Sequence, residues 1–140
     1  MPFCAREHTA DLGLEVWAPT LDRLFVDAAV GLADAITDAS VLRETERVDV
    51  TVEEPALDLL LVAWLEELLY RFETTGALAR GGEARVVEGT SGWRVEATLR
   101  GERFDAARHP LRVTVKAITY HGLEVAGSEG EWRARVLFDI

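Results

Sequence analysis

Of the fifteen basic side chains in this 140-residue sequence, fourteen are arginine, and the one lysine, Lys116, stands in Val115-Lys116-Ala117-Ile118-Thr119-Tyr120-His121-Gly122. An ammonium is a compact point charge whose pKa moves on burial, whereas a guanidinium is a rigid planar fork. A lone lysine beside a Tyr-His pair therefore marks a place where an ammonium is needed, unless it is one lysine surviving by chance in an arginine-biased composition. Two carboxylates stand out in the same way: Asp11, in Glu7-His8-Thr9-Ala10-Asp11, and Asp139, in Phe138-Asp139-Ile140. Each lies at the end of an alternating, strand-like segment, where a carboxylate can take a cation or simply stay solvated.

No calcium-loop motif, paired cysteines or His-x-x-x-His occurs, so a metal site here has to be assembled from distant segments. Carboxylate oxygens favour hard cations such as Ca²⁺ or Mg²⁺, and the carboxylate of Ile140 offers one more oxygen. His8, three residues before Asp11, is a candidate ligand or orienting group. His121, followed by glycine at an expected strand end, reads either as a turn residue bonded to backbone or as a companion of Lys116. On a strand the two share a face only if a bulge intervenes. His109, before Pro110, reads as a solvated loop residue.

The familiar catalytic arrangements are absent. None of Ser40, Ser91 and Ser128 lies in Gly-x-Ser-x-Gly. No phosphate-binding loop precedes Lys116, and Gly81-Gly82 reads as a turn. Cys4 and His8 would pair only on a helix, for which nothing else there argues.

The elements that must position these residues show in the periodicity. Leu21, Leu24, Phe25, Ala28, Leu32 and Ile36 fall on one helical face, with Thr20 as N-cap and Asp22 in the first turn. Leu57, Leu60, Leu61, Trp64, Leu65, Leu68, Leu69 and Phe72 form a second such stripe, which Gly76 would stop. Segments 12–16, 48–52, 93–99 and 132–138 alternate with period two, as half-buried strands do. Gly89-Thr90-Ser91-Gly92 and Gly127-Ser128-Glu129-Gly130 have hairpin-turn chemistry. The expectation is an α+β fold in one domain spanning 1–140, with two amphipathic helices on one face of a mixed or mostly antiparallel sheet and a C-terminal meander.

Length and a 49% hydrophobic content allow one sizeable core without a disulfide or metal to hold it. The single cysteine and the lack of a basic-then-apolar start lead us to expect a reducing cytoplasm. No apolar run approaches the roughly 20 residues of a membrane span. Residues 1–79 hold five arginines against sixteen acids, and residues 80–140 ten basic against nine acidic side chains, for a net charge of −10. Because the basic residues alternate with acids instead of clustering, direct, tight nucleic-acid binding is not expected. The charge fits a protein that meets a basic partner surface, and equally one that is simply kept soluble by it.

Taken together, Glu7-His8-Thr9-Ala10-Asp11-Leu12-Gly13-Leu14, the helix start at Thr20-Leu21, Lys116-Ala117-Ile118-Thr119-Tyr120-His121-Gly122-Leu123 and the closing Trp132–Ile140 string resemble the archease family over the whole chain. The resemblance implies an α+β fold with two helices. It also implies a protein cofactor, not an enzyme, that promotes guanylylation and multiple turnover of the GTP-dependent RNA ligase of the RtcB type in tRNA splicing and RNA repair. The family's metal-associated acids map onto Asp11 and Asp139, with Ile140 beside them, and its basic functional residue onto Lys116. His8 and His121 belong to the same matching strings. The implied cofactor is a divalent cation on oxygen ligands, Ca²⁺ first, with Mg²⁺ or Mn²⁺ as alternatives. Two other functions stay open from the residues alone: a metal-dependent phosphoester hydrolase and a general acidic chaperone or scaffold.

Overall fold

The computed structural model describes residues 3–7 and 11–140, with the backbone alone for 5–7. In order, these residues form β1 (Phe3–Glu7), β2 (Asp11–Ala18), α1 (Leu21–Ile36), a 3-10 turn (Ala39–Val41), β3 (Glu46–Glu54), α2 (Leu57–Thr75), β4 (Ala77–Gly89), β5 (Gly92–Arg103), β6 (Ala117–Ser128) and β7 (Glu131–Asp139). The strands make two sheets, β1-β2-β7-β6 and β3-β5-β4, with every neighbouring pair antiparallel. The α+β class and the two helices on antiparallel sheets are as the sequence indicates.

The single sheet with a C-terminal meander is corrected. Both hairpins form, with turns at Thr90-Ser91 and Glu129-Gly130, but β5 takes β3 on its other edge while β7 takes β2. Turn chemistry fixes pairing only across the turn. The far edge of each hairpin is decided by which distant strand completes the apolar face, and no local signal encodes that.

Helix α1 starts where Thr20 Oγ1 accepts the Arg23 N–H at 3.1 Å. Asp22, favourably placed at the positive end of the helix, also accepts the Val86 N–H at 2.8 Å and so ties the helix start to β4. This helix is buried around most of its circumference, because it packs on β4 of one sheet and β2 of the other. At Gly31 a Cβ would stand 2.9 Å from Leu14 Cδ1, which shows how closely α1 lies on β2. Helix α2 packs on β6, β3 and β5 through its apolar stripe. Trp64, fully buried, donates its indole N–H to the Phe25 carbonyl at 2.9 Å and locks the two helices together. Gly76 ends α2 in the left-handed conformation at φ 81°. Leu14, Val16, Phe25, Trp64, Val95 and Phe138 belong to one continuous core.

Two local expectations fail. Gly81-Gly82 is not a turn but lies inside β4, at a bulge where the register shifts between Ala79 and Gly81. A Cβ on Gly82, at φ 146°, would sit 2.2 Å from the Thr98 carbonyl oxygen, so Gly82 permits close strand approach. His109 is not solvated either: within the segment that joins β5 to β6, it is 1% exposed with both ring nitrogens hydrogen-bonded. No helix among the described residues is long and apolar enough to cross a membrane.

Candidate functional site

Asp11 opens β2 and Asp139 closes β7, and the antiparallel register sets them directly opposite each other. Residues so paired put their side chains on one face of the sheet, with Cβ atoms about 4.5–5.5 Å apart. That face is the outer one, since the intervening Leu12, Leu14, Val136 and Phe138 point to the core. Both aspartates are half-buried. The row continues into β6, where Ala117 pairs with Asp139. Lys116 stands one residue before it, exposed, with its backbone N–H donating to the Asp139 carbonyl at 2.7 Å. Three segments far apart in sequence thus meet at one end of the four-stranded sheet.

Ile140 follows directly, half-buried with its side chain against the core. His121 is exposed and lies within β6, not at its end as expected. Between the pairs Thr119–Leu137 and Glu124–Arg135 the strand bulges, with Tyr120 to Leu123 facing only Val136. The bulge that the alternation demanded for Lys116 and His121 is therefore present, and Gly122 turns it at φ 69°. His121 donates its backbone N–H to Thr119 Oγ1 at 3.3 Å. Tyr120, on the same bulge beside His121, is 57% exposed. His8 lies outside the described residues, and with it the proposed His8 contacts. Cys4 sits on β1 opposite Glu15, in a strand and not in a helix.

The donor set suits a hard cation in kind: two facing carboxylates, all oxygen. Among the described residues no third Asp, Glu, His or Cys side chain joins the pair. Lys116 has no ion-pair partner among them, so its charge is available at the sheet end. The sheet end thus carries two close carboxylates, with an exposed lysine on the residue before the neighbouring strand.

Sequence reasoning missed a polar cluster at the start of the connection that ends in Lys116. Glu102 accepts the Arg43 N–H at 2.9 Å, meets the His109 ring at 3.1 Å and pairs with Arg108. These bonds hold the Glu102 carboxyl below its ordinary range, the Arg43 N–H being the largest cause and burial opposing it. No periodicity marks these residues, because they gather from a strand and two loops.

The Archease protein family model matches residues 3–140. Protein archease of Methanopyrus kandleri is 40% identical over 140 residues, covering 100% of both chains. The solution structure of Methanobacterium thermoautotrophicum Protein 1598 superposes with a TM-score of 0.85 at 28% identity, covering 99% of each chain. The crystal structure of an archease from Thermotoga maritima, described as a possible chaperone, shares the fold with a TM-score of 0.62 at 18% identity, over 96% of this chain and 94% of that one. With the family's pattern matched over nearly the full length and a relative aligned end to end, the chain belongs to the archease family.

Proposed function

We infer that this protein is a non-catalytic activator of a GTP-dependent RNA ligase of the RtcB type, working in the cytoplasm to promote ligase guanylylation and multiple turnover. The observation that carries the reading is the meeting of Asp11, Asp139 and Lys116 at one exposed sheet end. Nothing in that arrangement supplies a nucleophile with an adjacent base, which fits a protein that completes another site better than one that turns over alone. Its net charge of −10 suits docking on a basic, phosphate-binding partner surface and not on RNA itself.

In this reading Asp11, Asp139 and the carboxylate of Ile140 would hold a divalent ion, Ca²⁺ by donor type, with remaining ligands from water or the partner. When bound, such an ion supplies compact positive charge beside phosphate oxygens. Lys116 stands next to that pair and offsets phosphate charge, and a point charge needs no fixed planar partner to do so. His121 on the bulge, and His8, contact the partner.

The test is guanylylation of an RtcB-type ligase by GTP, with and without this protein at a substoichiometric ratio. A severalfold rise is expected, lost in Asp11→Asn or Asp139→Asn. No rise with folded protein overturns the reading, and phosphoester turnover by the isolated chain, resistant to repurification, replaces it with the hydrolase.

A further inference from the structure

Between the end of β5 at Arg103 and the start of β6 at Ala117 the chain runs without helix or strand, and Lys116 is its last residue. Structureless connections of such length inside a compact fold are uncommon and tend to carry function. This one is strapped down along its length. Thr37 Oγ1 donates to the Pro110 carbonyl at 2.6 Å, the Arg112 N–H to the Ile36 carbonyl at 2.8 Å, and the Arg112 guanidinium to the Asp34 carbonyl at 3.0 Å. Val115, 4% exposed, sinks into the core, and the Lys116 N–H closes the strap on Asp139.

Its head is a clamp. His109 Nδ1 accepts the Asp105 N–H at 2.8 Å, which leaves the ring hydrogen on Nε2 to be donated to Glu102 Oε1 at 3.1 Å. The His109 backbone N–H also returns to the Asp105 carbonyl at 2.7 Å. Arg108 pairs with the other Glu102 oxygen and donates to the Val41 carbonyl at 3.3 Å, and the Phe104 ring lies 5.9 Å from the imidazole. Both ring nitrogens are thus committed, one to the strap and one to the strand that anchors it.

We propose that His109 is a positioning residue for Lys116: by clamping the head of the 104–116 strap onto Glu102 of β5, it fixes where the strap delivers the ammonium relative to the Asp11–Asp139 pair. Its consequence for activation rests on the role inferred above for Lys116, while its structural part does not. Apart from the chain's terminal amine, Lys116 is the only amine, so reductive ¹³C-methylation gives one side-chain signal that reports its surroundings, assigned by its loss in Lys116→Arg.

His109→Phe keeps a ring against Phe104 and loses both bonds. His109→Gln keeps one acceptor and one donor. The Lys116 signal is expected to shift and broaden in His109→Phe and to return toward the parent position in His109→Gln. Maximal ligase stimulation should fall severalfold in His109→Phe, with the half-saturating protein concentration little changed. An unmoved Lys116 signal beside a lowered melting temperature overturns the proposal and makes His109 a stabilising residue only. A moved signal with full stimulation supports the clamp and overturns the role of Lys116. Should His109→Phe fail to fold, Arg112→Ala loosens the same strap from a half-exposed position. There, too, movement of the signal supports the proposal and its absence overturns it.

Discussion

Lys116 was conspicuous because the chain uses arginine everywhere else, and in the structure it is exposed, one residue before the strand that pairs with Asp139, with no ion partner among the described residues. Lys116→Ala removes an exposed side chain, so stability should change by no more than about 0.5 kcal/mol. Ligase stimulation should nevertheless be lost. Lys116→Arg keeps the charge but spreads it over a larger plane, and partial or lost stimulation is expected. Parallel melting curves and guanylylation assays check both, and full stimulation by either variant would return the lone lysine to compositional accident. The pairing of Asp11 with Asp139 was legible in the same indirect way, since both stood at ends of alternating segments. His109 was not legible, because a histidine before proline has the same local sequence whether it is solvated or clamped by a glutamate seven residues earlier.

Among the elements, the two helices and the strands within 12–16, 48–52, 93–99 and 132–138 could be read because one face of each is apolar with a regular period. β4 escaped notice because Gly81 and Gly82 interrupt its pattern, the second of them where the backbone of β5 approaches. Likewise, α1 looks like a helix with one apolar stripe, yet it is buried nearly all round. Its alanines and Gly31 permit that close packing between two sheets, and a stripe of larger residues alone does not reveal it. Where the helices meet, Trp64 contributes both a fully buried indole and a hydrogen bond to Phe25. Trp64→Phe leaves a void and removes that bond, so it should cost about 2–4 kcal/mol. Tyr70, on the same helix and 60% exposed, serves as the comparison: Tyr70→Ala should cost under about 0.5 kcal/mol. Equal losses in chemical denaturation would mean that α2 is held by something other than this seam.

Across the whole molecule, acid lability follows from carboxylates that join distant segments, and the sign differs between them. Glu102 has its pKa lowered from 4.5, chiefly by the Arg43 N–H, with burial next and opposing it, and with His109 and Arg108 adding to the lowering. The native state therefore binds a proton at Glu102 less readily than the unfolded chain does. Its stabilisation is fully present above the unfolded value and is lost as pH falls through 4.5 and on through the lower folded value. Asp38 and Asp49 are lowered too, by hydrogen bonds from Ser40 and Thr98 respectively, but Asp49 is exposed and Asp38 part-exposed, so both are more screened by solvent than Glu102. Asp27 runs the other way. Burial raises it above 3.8 more than Arg23 lowers it, so its charge disfavours the native state at neutral pH and that disadvantage is relieved in acid. Glu102 joins β5, the Arg43 segment and the strap that leads to Lys116, with a side chain only 14% exposed, so it should dominate the acid limb. Glu102→Gln is thus expected to flatten the fall of melting temperature between about pH 5 and about pH 3, whereas Asp38→Asn and Asp49→Asn leave its slope nearly unchanged. Asp27→Asn should gain on the parent as pH rises through the same range. Scans of melting temperature against pH for the four variants decide the matter, and a slope for Glu102→Gln equal to that of the parent would show that the clamp does not couple the strap to global stability.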